Sequence, residues 1–174
     1  MRIAIDLQGI QSEGSRVRGI GRYSFEIIKN IIEFGHENEY ILFANGSLKN
    51  LRNEFRDQLK RKNVLYYEWF APCPLDFYSN NFLKRKIAIY LRSYSLATIH
   101  VDLIFITSYL EGYIDNCLLD IDHEICTAKQ VSIFYDLIPL LNPDKYLDPN
   151  PKFAKFYRSK ISKLNNLDGL LAIS

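Results

Sequence analysis

The sequence predicts a single α/β domain with an open parallel sheet flanked by helices. Short apolar runs of four to eight residues recur along the 174-residue chain. Segments whose apolar residues return every three or four positions lie between them, the period of a helix. That alternation is the pattern of a parallel sheet covered on both faces. The length suits one domain and gives a core of ordinary size.

In chain order, residues 2–7 read as a short buried strand, and residues 8–18 as a polar loop. A helix follows, carried by Ile20, Tyr23, Ile27, Ile28, Ile31 and Ile32 and stopped at Gly35, where a terminal glycine is expected. Residues 39–44 are a second strand, 47–61 a polar surface helix, and 63–70 an aromatic-rich third strand. Residues 80–98 read as a helix with Phe82, Leu83, Ile87, Tyr90, Leu91 and Tyr94 on one side. Strands are expected at 101–107, 130–135 and 169–174. Irregular acidic chain is expected at 108–128, and a basic amphipathic helix at 151–166. Ligands of such sheets gather at the carboxyl ends of the strands, which selects residues 6–22, 108–113 and 135–139.

Composition narrows the function classes. Hydrophobic residues make up 48% and charged residues 24%, the balance of a globular protein. A net charge of +2 gives no reason to expect a nucleic-acid partner. Cys73, Cys117 and Cys126 match no zinc or disulfide spacing and read as free thiols. The opening residues lack the apolar run of a signal peptide, and no stretch is long enough for a membrane span. The expectation is a cytoplasmic protein, at the inner face of the membrane if the basic segments touch anionic lipid. Those segments are Lys84-Arg85-Lys86 and the 151–166 helix, and the other reading of each is a solvated face. Residues 49–92 hold ten Lys and Arg against four Asp and Glu, whereas 101–126 hold six acids and no Lys or Arg.

Three motifs fall on the selected rim. Arg18-Gly19-Ile20-Gly21-Arg22-Tyr23-Ser24 opens the first helix. Glycines there admit a ligand to backbone N–H groups, and Arg22 could meet a phosphate or carboxylate. Ser24 stands where a dinucleotide fingerprint needs a third glycine, so that site is disfavoured. The other reading is a tight turn feeding a helix. Tyr135-Asp136 lies at the end of a strand, where Asp136 could orient a sugar hydroxyl or move a proton, or else cap the next turn. Ser108, Glu111 and Gly112 form a turn after another strand; with Tyr109 and Tyr113 they suit a sugar or an ordinary loop. The acidic group Asp120, Asp122, His123 and Glu124 lacks the convergence a metal needs, and no metal is expected.

The ordered set of motifs resembles the N-terminal domain of family-four retaining glycosyltransferases, nearest the mannosyltransferase-like enzymes of bacterial polysaccharide and O-antigen assembly. The matching pieces are Ile3-Ala4-Ile5-Asp6, Gly19-Ile20-Gly21-Arg22-Tyr23, Ser108 to Gly112, Tyr135 to Leu140 with Pro143 and Tyr146, and Leu171-Ala172-Ile173-Ser174. The likeness spans the chain, although residues 47–98 add only length. It implies a Rossmann-like half of a GT-B architecture that binds a glycan or lipid-linked glycan acceptor. By the same resemblance, Gly19, Ile20, Gly21, Arg22, Ser108, Glu111 and Gly112 contact substrate. Tyr135 and Asp136 stand at the reacting sugar, and the nucleotide sugar is a co-substrate with no cofactor or metal. Tyr135 occupies a position where many members carry histidine, and it donates a hydrogen bond without titrating near neutral pH. The family's donor domain and its paired glutamates are not in this sequence. The chain is therefore expected to be inactive alone and to need a C-terminal donor domain or a separate donor chain. Two alternatives are a stand-alone binding or scaffold subunit and a nucleotide-binding enzyme of another class.

Overall fold

The computed structural model describes residues 1–79 and 81–173. Six strands, β1 (Arg2–Asp6), β2 (Glu39–Asn45), β3 (Val64–Trp69), β4 (Leu103–Ile106), β5 (Lys129–Phe134) and β6 (Gly169–Ala172), form one sheet. Its order is β3-β2-β1-β4-β5-β6, and every neighbouring pair is parallel. This is the predicted open α/β architecture. Ser174 and Asn80, at the ends of two predicted elements, lie outside the described residues.

Both faces of the sheet are covered, which is why the central strands are apolar on both sides. Helix α2 (Gly19–Phe34) lays Ile28 and Ile32 on one face, against Ile3, Ile5, Leu7, Tyr40 and Leu42. Helices α3 (Phe82–Thr98) and α6 (Pro151–Lys163) cover the other, where Ala4, Phe43, Trp69, Ile104 and Ile106 meet Ala88, Leu96 and Leu164. Alternate residues of β1 thus feed two cores.

The chain winds outward from β1 to β3, then crosses back to β4 on the other side of β1. The loops after β1 and β4 therefore diverge, and a crevice opens between them at the carboxyl rim. Asp6, the last residue of β1, is buried there. It accepts from Arg92 Nη1 of α3 at 2.7 Å and from the Gln8 N–H at 2.8 Å. Arg92 and Asp6 are both 0% exposed. The guanidinium lies over the Phe43 and Trp69 rings, 5.4 and 5.8 Å from their centroids.

Three expectations need correction. The polar loop at 8–18 begins with a buried helical turn, α1 (Gln8–Gln11), anchored by Ile10 in the core and by its amide side chains. Gln11 Nε2 donates to the Asn45 and Lys49 carbonyls, and the Asn45 N–H donates to Gln11 Oε1. Residues 47–61 are not a helix. They run as turns ending in a 3₁₀ segment, Gln58–Lys60. Asn50 competes for the backbone by accepting from the Arg52 N–H, and the Tyr66 hydroxyl takes the Leu51 N–H. Leu51 and Phe55 are buried, so this segment belongs to the core. The third correction concerns α3, whose predicted apolar side faces outward while Ala88, Arg92, Ser93 and Leu96 face the sheet. The stretch between β5 and α6, punctuated by Pro139 and Pro143, holds two short helices, α4 (Ile138–Leu141) and α5 (Pro143–Tyr146).

Removing one member of a buried ion pair leaves an uncompensated charge. Arg92→Met should lower the unfolding free energy by about 3–5 kcal/mol, read from urea titrations. The Asp6→Asn/Arg92→Met double variant should recover part of that loss. A single variant as stable as the parent would show that the pair does not hold α3 to the sheet.

Candidate functional site

The three rim segments meet. A cavity of about 470 Å³ is lined by Arg18 and Ile20 from the segment at 6–22, Glu111 and Gly112 from 108–113, and Pro139 from 135–139. Phe153 and Tyr157 of α6 complete its wall. Tyr135 binds the segments together from behind. It follows β5 on the α2 face, its hydroxyl lies 2.6 Å from Ser24 Oγ, and it donates to the carbonyls of Thr107 and Ile20 at 3.1 and 3.4 Å. Tyr23 packs edge-on against its ring at 6.0 Å. Burial raises the Tyr135 phenol above its ordinary value, so it stays a neutral donor near pH 7.

Glu111 is the buried carboxylate of the cavity. The turn that holds it needs Gly112, whose φ is +97° and where a Cβ would strike the Cys117 carbonyl. Ser108 Oγ donates to Glu111 Oε1 at 2.8 Å. Burial raises the Glu111 carboxyl, and the Asp115 charge adds to this. Hydrogen bonding from Ser108, Ser12 and Ser15 pulls the other way. Asp115 is engaged elsewhere, accepting from Ser12 Oγ at 2.7 Å and from the Glu13 and Cys117 N–H groups.

The first motif divides. Ile20 faces the 470 Å³ cavity. Gly21 and Arg22 line a separate cavity of about 310 Å³ with Arg16, Phe25 and Glu54. Gly21 is needed for packing, because a Cβ would come within 2.6 Å of the Ser15 carbonyl and the Arg16 backbone. Its N–H already donates to Ser15 O. Gly19 stands in open space, with no atom within 4 Å of an added Cβ. Asp136 accepts from the Ile138 N–H at 3.0 Å, the turn-capping alternative, and its charge reaches Tyr157. The acidic group at 120–124 is likewise structural. Asp120 pairs with Lys163 at 2.9 Å, and Asp122 accepts from the Glu124 N–H. Among the described residues no three His, Cys, Asp or Glu gather as metal ligands.

Sequence reasoning missed the α6 wall. Phe153 and Tyr157 pack with tilted rings 5.8 Å apart, and Tyr113 meets Phe153 edge-on at 5.2 Å. The Tyr157 hydroxyl is buried without a hydrogen-bond partner among the described residues, and burial pushes its pKa up to about 12. The i, i+4 spacing of two aromatics just after the Pro-rich rim segment was the available signal. Rings beside a carboxylate and an unpartnered hydroxyl suit a ligand with apolar faces and many hydroxyls.

The chain is similar to mannosyltransferases. Three Escherichia coli proteins named serotype-specific mannosyltransferase WbdA match it. One is 33% identical over 179 residues, covering 100% of this chain and 21% of the relative. Two others are 31% and 29% identical, each across 83% of this chain and 18% of the relative. The chain thus spans about a fifth of the length of the curated relatives it matches. No family model matches it. Among the described residues no helix is long and apolar enough to cross a membrane.

Glu111 carries a pH signature. A carboxyl raised by burial holds its proton more tightly in the folded chain. Its favourable contribution is complete below the unfolded-state pKa and is lost as pH rises through the folded value. Glu111→Gln should therefore gain stability relative to the parent as pH rises from about 4 to about 8, measured by urea unfolding at each pH. A difference that stays flat with pH, or runs the opposite way, would contradict this.

Proposed function

We propose that this chain is the acceptor-side half of a GT-B, family-four retaining glycosyltransferase, moving mannose or a related hexose from a nucleotide sugar to a glycan or lipid-linked glycan. The observation that carries the reading is the meeting of Ile20, Glu111, Gly112 and Pro139 around one aromatic-walled cavity, on a chain similar throughout to mannosyltransferases. The acceptor sugar lies against Phe153 and Tyr157. Glu111 and the Tyr157 hydroxyl take its hydroxyls, each such bond worth about 1–3 kcal/mol. Tyr135 keeps the start of α2 fixed to the strand ends, so Gly19 and Ile20 face the sugar donor with their geometry set in advance. Asp136, beside Tyr157, orients a sugar hydroxyl when the turn at Ile138 relaxes. The nucleotide diphosphate and most leaving-group stabilisation belong to a donor domain or donor chain. Metal takes no part.

The purified chain, titrated with mannose oligosaccharides and followed by backbone NMR, should show shifts at residues 18–20, 110–114 and 153–157, and no transfer from nucleotide-activated mannose. Tyr157→Phe separates binding from folding. It removes a buried hydroxyl with no partner, so stability should hold or rise slightly, while glycan affinity falls roughly three- to ten-fold. Transfer by the isolated chain, or shifts confined to other regions, would overturn the reading.

A further inference from the structure

The outer side of α3 carries Phe82, Leu83, Ile87, Tyr90, Leu91 and Tyr94, all exposed. Phe82 is 75% exposed, Leu83 67%, and Tyr90 and Tyr94 55% each. The last two rings stack on one another 6.3 Å apart. A continuous row of this size on a single helix is the kind of patch that marks an interaction surface.

The charge around the row indicates what covers it. At about 100° per residue, Lys84 and Lys86 fall on the two sides of the apolar row. Lys86 Nζ sits 5.8 Å over the Phe82 ring. No Asp or Glu occurs in α3. At its first turn, Phe82 also borders a cleft of about 210 Å³ that holds Arg85, Lys160 and Lys163 around one carboxylate, Asp120. Lys160 is only 5% exposed, and its ammonium makes no hydrogen bond among the described residues. It rests over the Tyr109 and Phe156 rings at 5.1 and 5.7 Å. Lys84 Nζ donates to the Cys73 carbonyl at 2.6 Å, which holds its charge at the edge of the row. An apolar row with aromatic rings, bordered by two lysines and backed by a surplus of positive charge, matches an anionic lipid surface.

We propose that the outer face of α3 seats this protein on an anionic phospholipid membrane. The helix lies in the plane of the interface. Leu83, Ile87, Tyr90 and Leu91 enter the headgroup–acyl boundary, and Lys84 and Lys86 stay at the phosphates. The carboxyl rim of the sheet, from which α3 starts, is then held close to the lipid surface. The inference does not depend on the sugar-transfer reading, because vesicle binding is measured without any transfer.

The test is co-sedimentation of the chain with vesicles of phosphatidylcholine alone and of phosphatidylcholine mixed with phosphatidylglycerol. The bound fraction should partition at least roughly ten-fold more strongly to the mixed vesicles and weaken with added salt. Leu83→Glu/Tyr90→Glu should abolish binding while leaving the far-UV circular dichroism and urea midpoint unchanged, since both side chains are exposed. Lys84→Gln/Lys86→Gln should remove most of the preference for anionic lipid. Equal binding to the two vesicle types overturns the proposal, as does vesicle binding that survives Leu83→Glu/Tyr90→Glu. Self-association without vesicle binding, abolished by the same double variant, would assign the face to a second copy of the chain and overturn it too.

Discussion

Asp6 has no access to water, and that constraint organises the rim. A carboxylate at the end of a central strand is costly unless every lone pair finds a donor. Here three donors come from two parts of the chain: the guanidinium of Arg92 and the backbone and side-chain amides of Gln8. Satisfying Asp6 therefore docks α3, starts α1 and turns the chain away from the sheet at one point. Arg92 spends its remaining surface on Phe43 and Trp69, which ties β2 and β3 into the same arrangement.

The cavity depends on that arrangement at second hand. Its lower wall comes from residues 107–120, a stretch without regular structure that is held by side-chain amides. Gln8 both donates to the Leu118 carbonyl and accepts its N–H, at 2.8 Å each. Asn116 accepts from the Leu75 N–H, and its carbonyl takes Asn45 Nδ2. A rigid sheet with loops fixed by such bonds can place polar groups more accurately than free loops could. Glu111 and Tyr135 inherit their positions from it.

The strands could be read from the sequence because a sheet covered on both sides demands unbroken apolar runs, and Ile3 to Ile5 or Tyr40 to Ala44 can serve little else. Helix α2 was equally legible, its isoleucines facing a core that exists. Periodicity failed at α3, where two faces compete. The richer apolar face lies outside, and the inner one holds small residues and a charge that only tertiary pairing makes sense of. It failed again at 47–61, where asparagine side chains outcompete the helix and only Leu51 and Phe55 hint at burial. For the site, strand ends predicted which segments meet. They could not show that Arg22 faces a different cavity from Ile20, since a helix start exposes successive residues in different directions. Tyr157 lay on a helix that charge alone marked as surface.

Asn45 has a consequence beyond geometry. Its side chain bridges Gln8 Oε1 and the Asn116 carbonyl, its own Oδ1 accepts from the Ser47 N–H, and Gly46 follows it. An asparagine followed by glycine is the pair whose amide cyclises most readily onto the next peptide nitrogen when the chain is loose. In the native state the bonds hold that amide away from its neighbour's backbone. A molecule that lingers unfolded can exchange the amide for a carboxylate, which no longer donates to either partner. Thermal history is thus written covalently at the centre of the rim, and the shelf life of the protein is set by its unfolding rate as well as by its equilibrium stability.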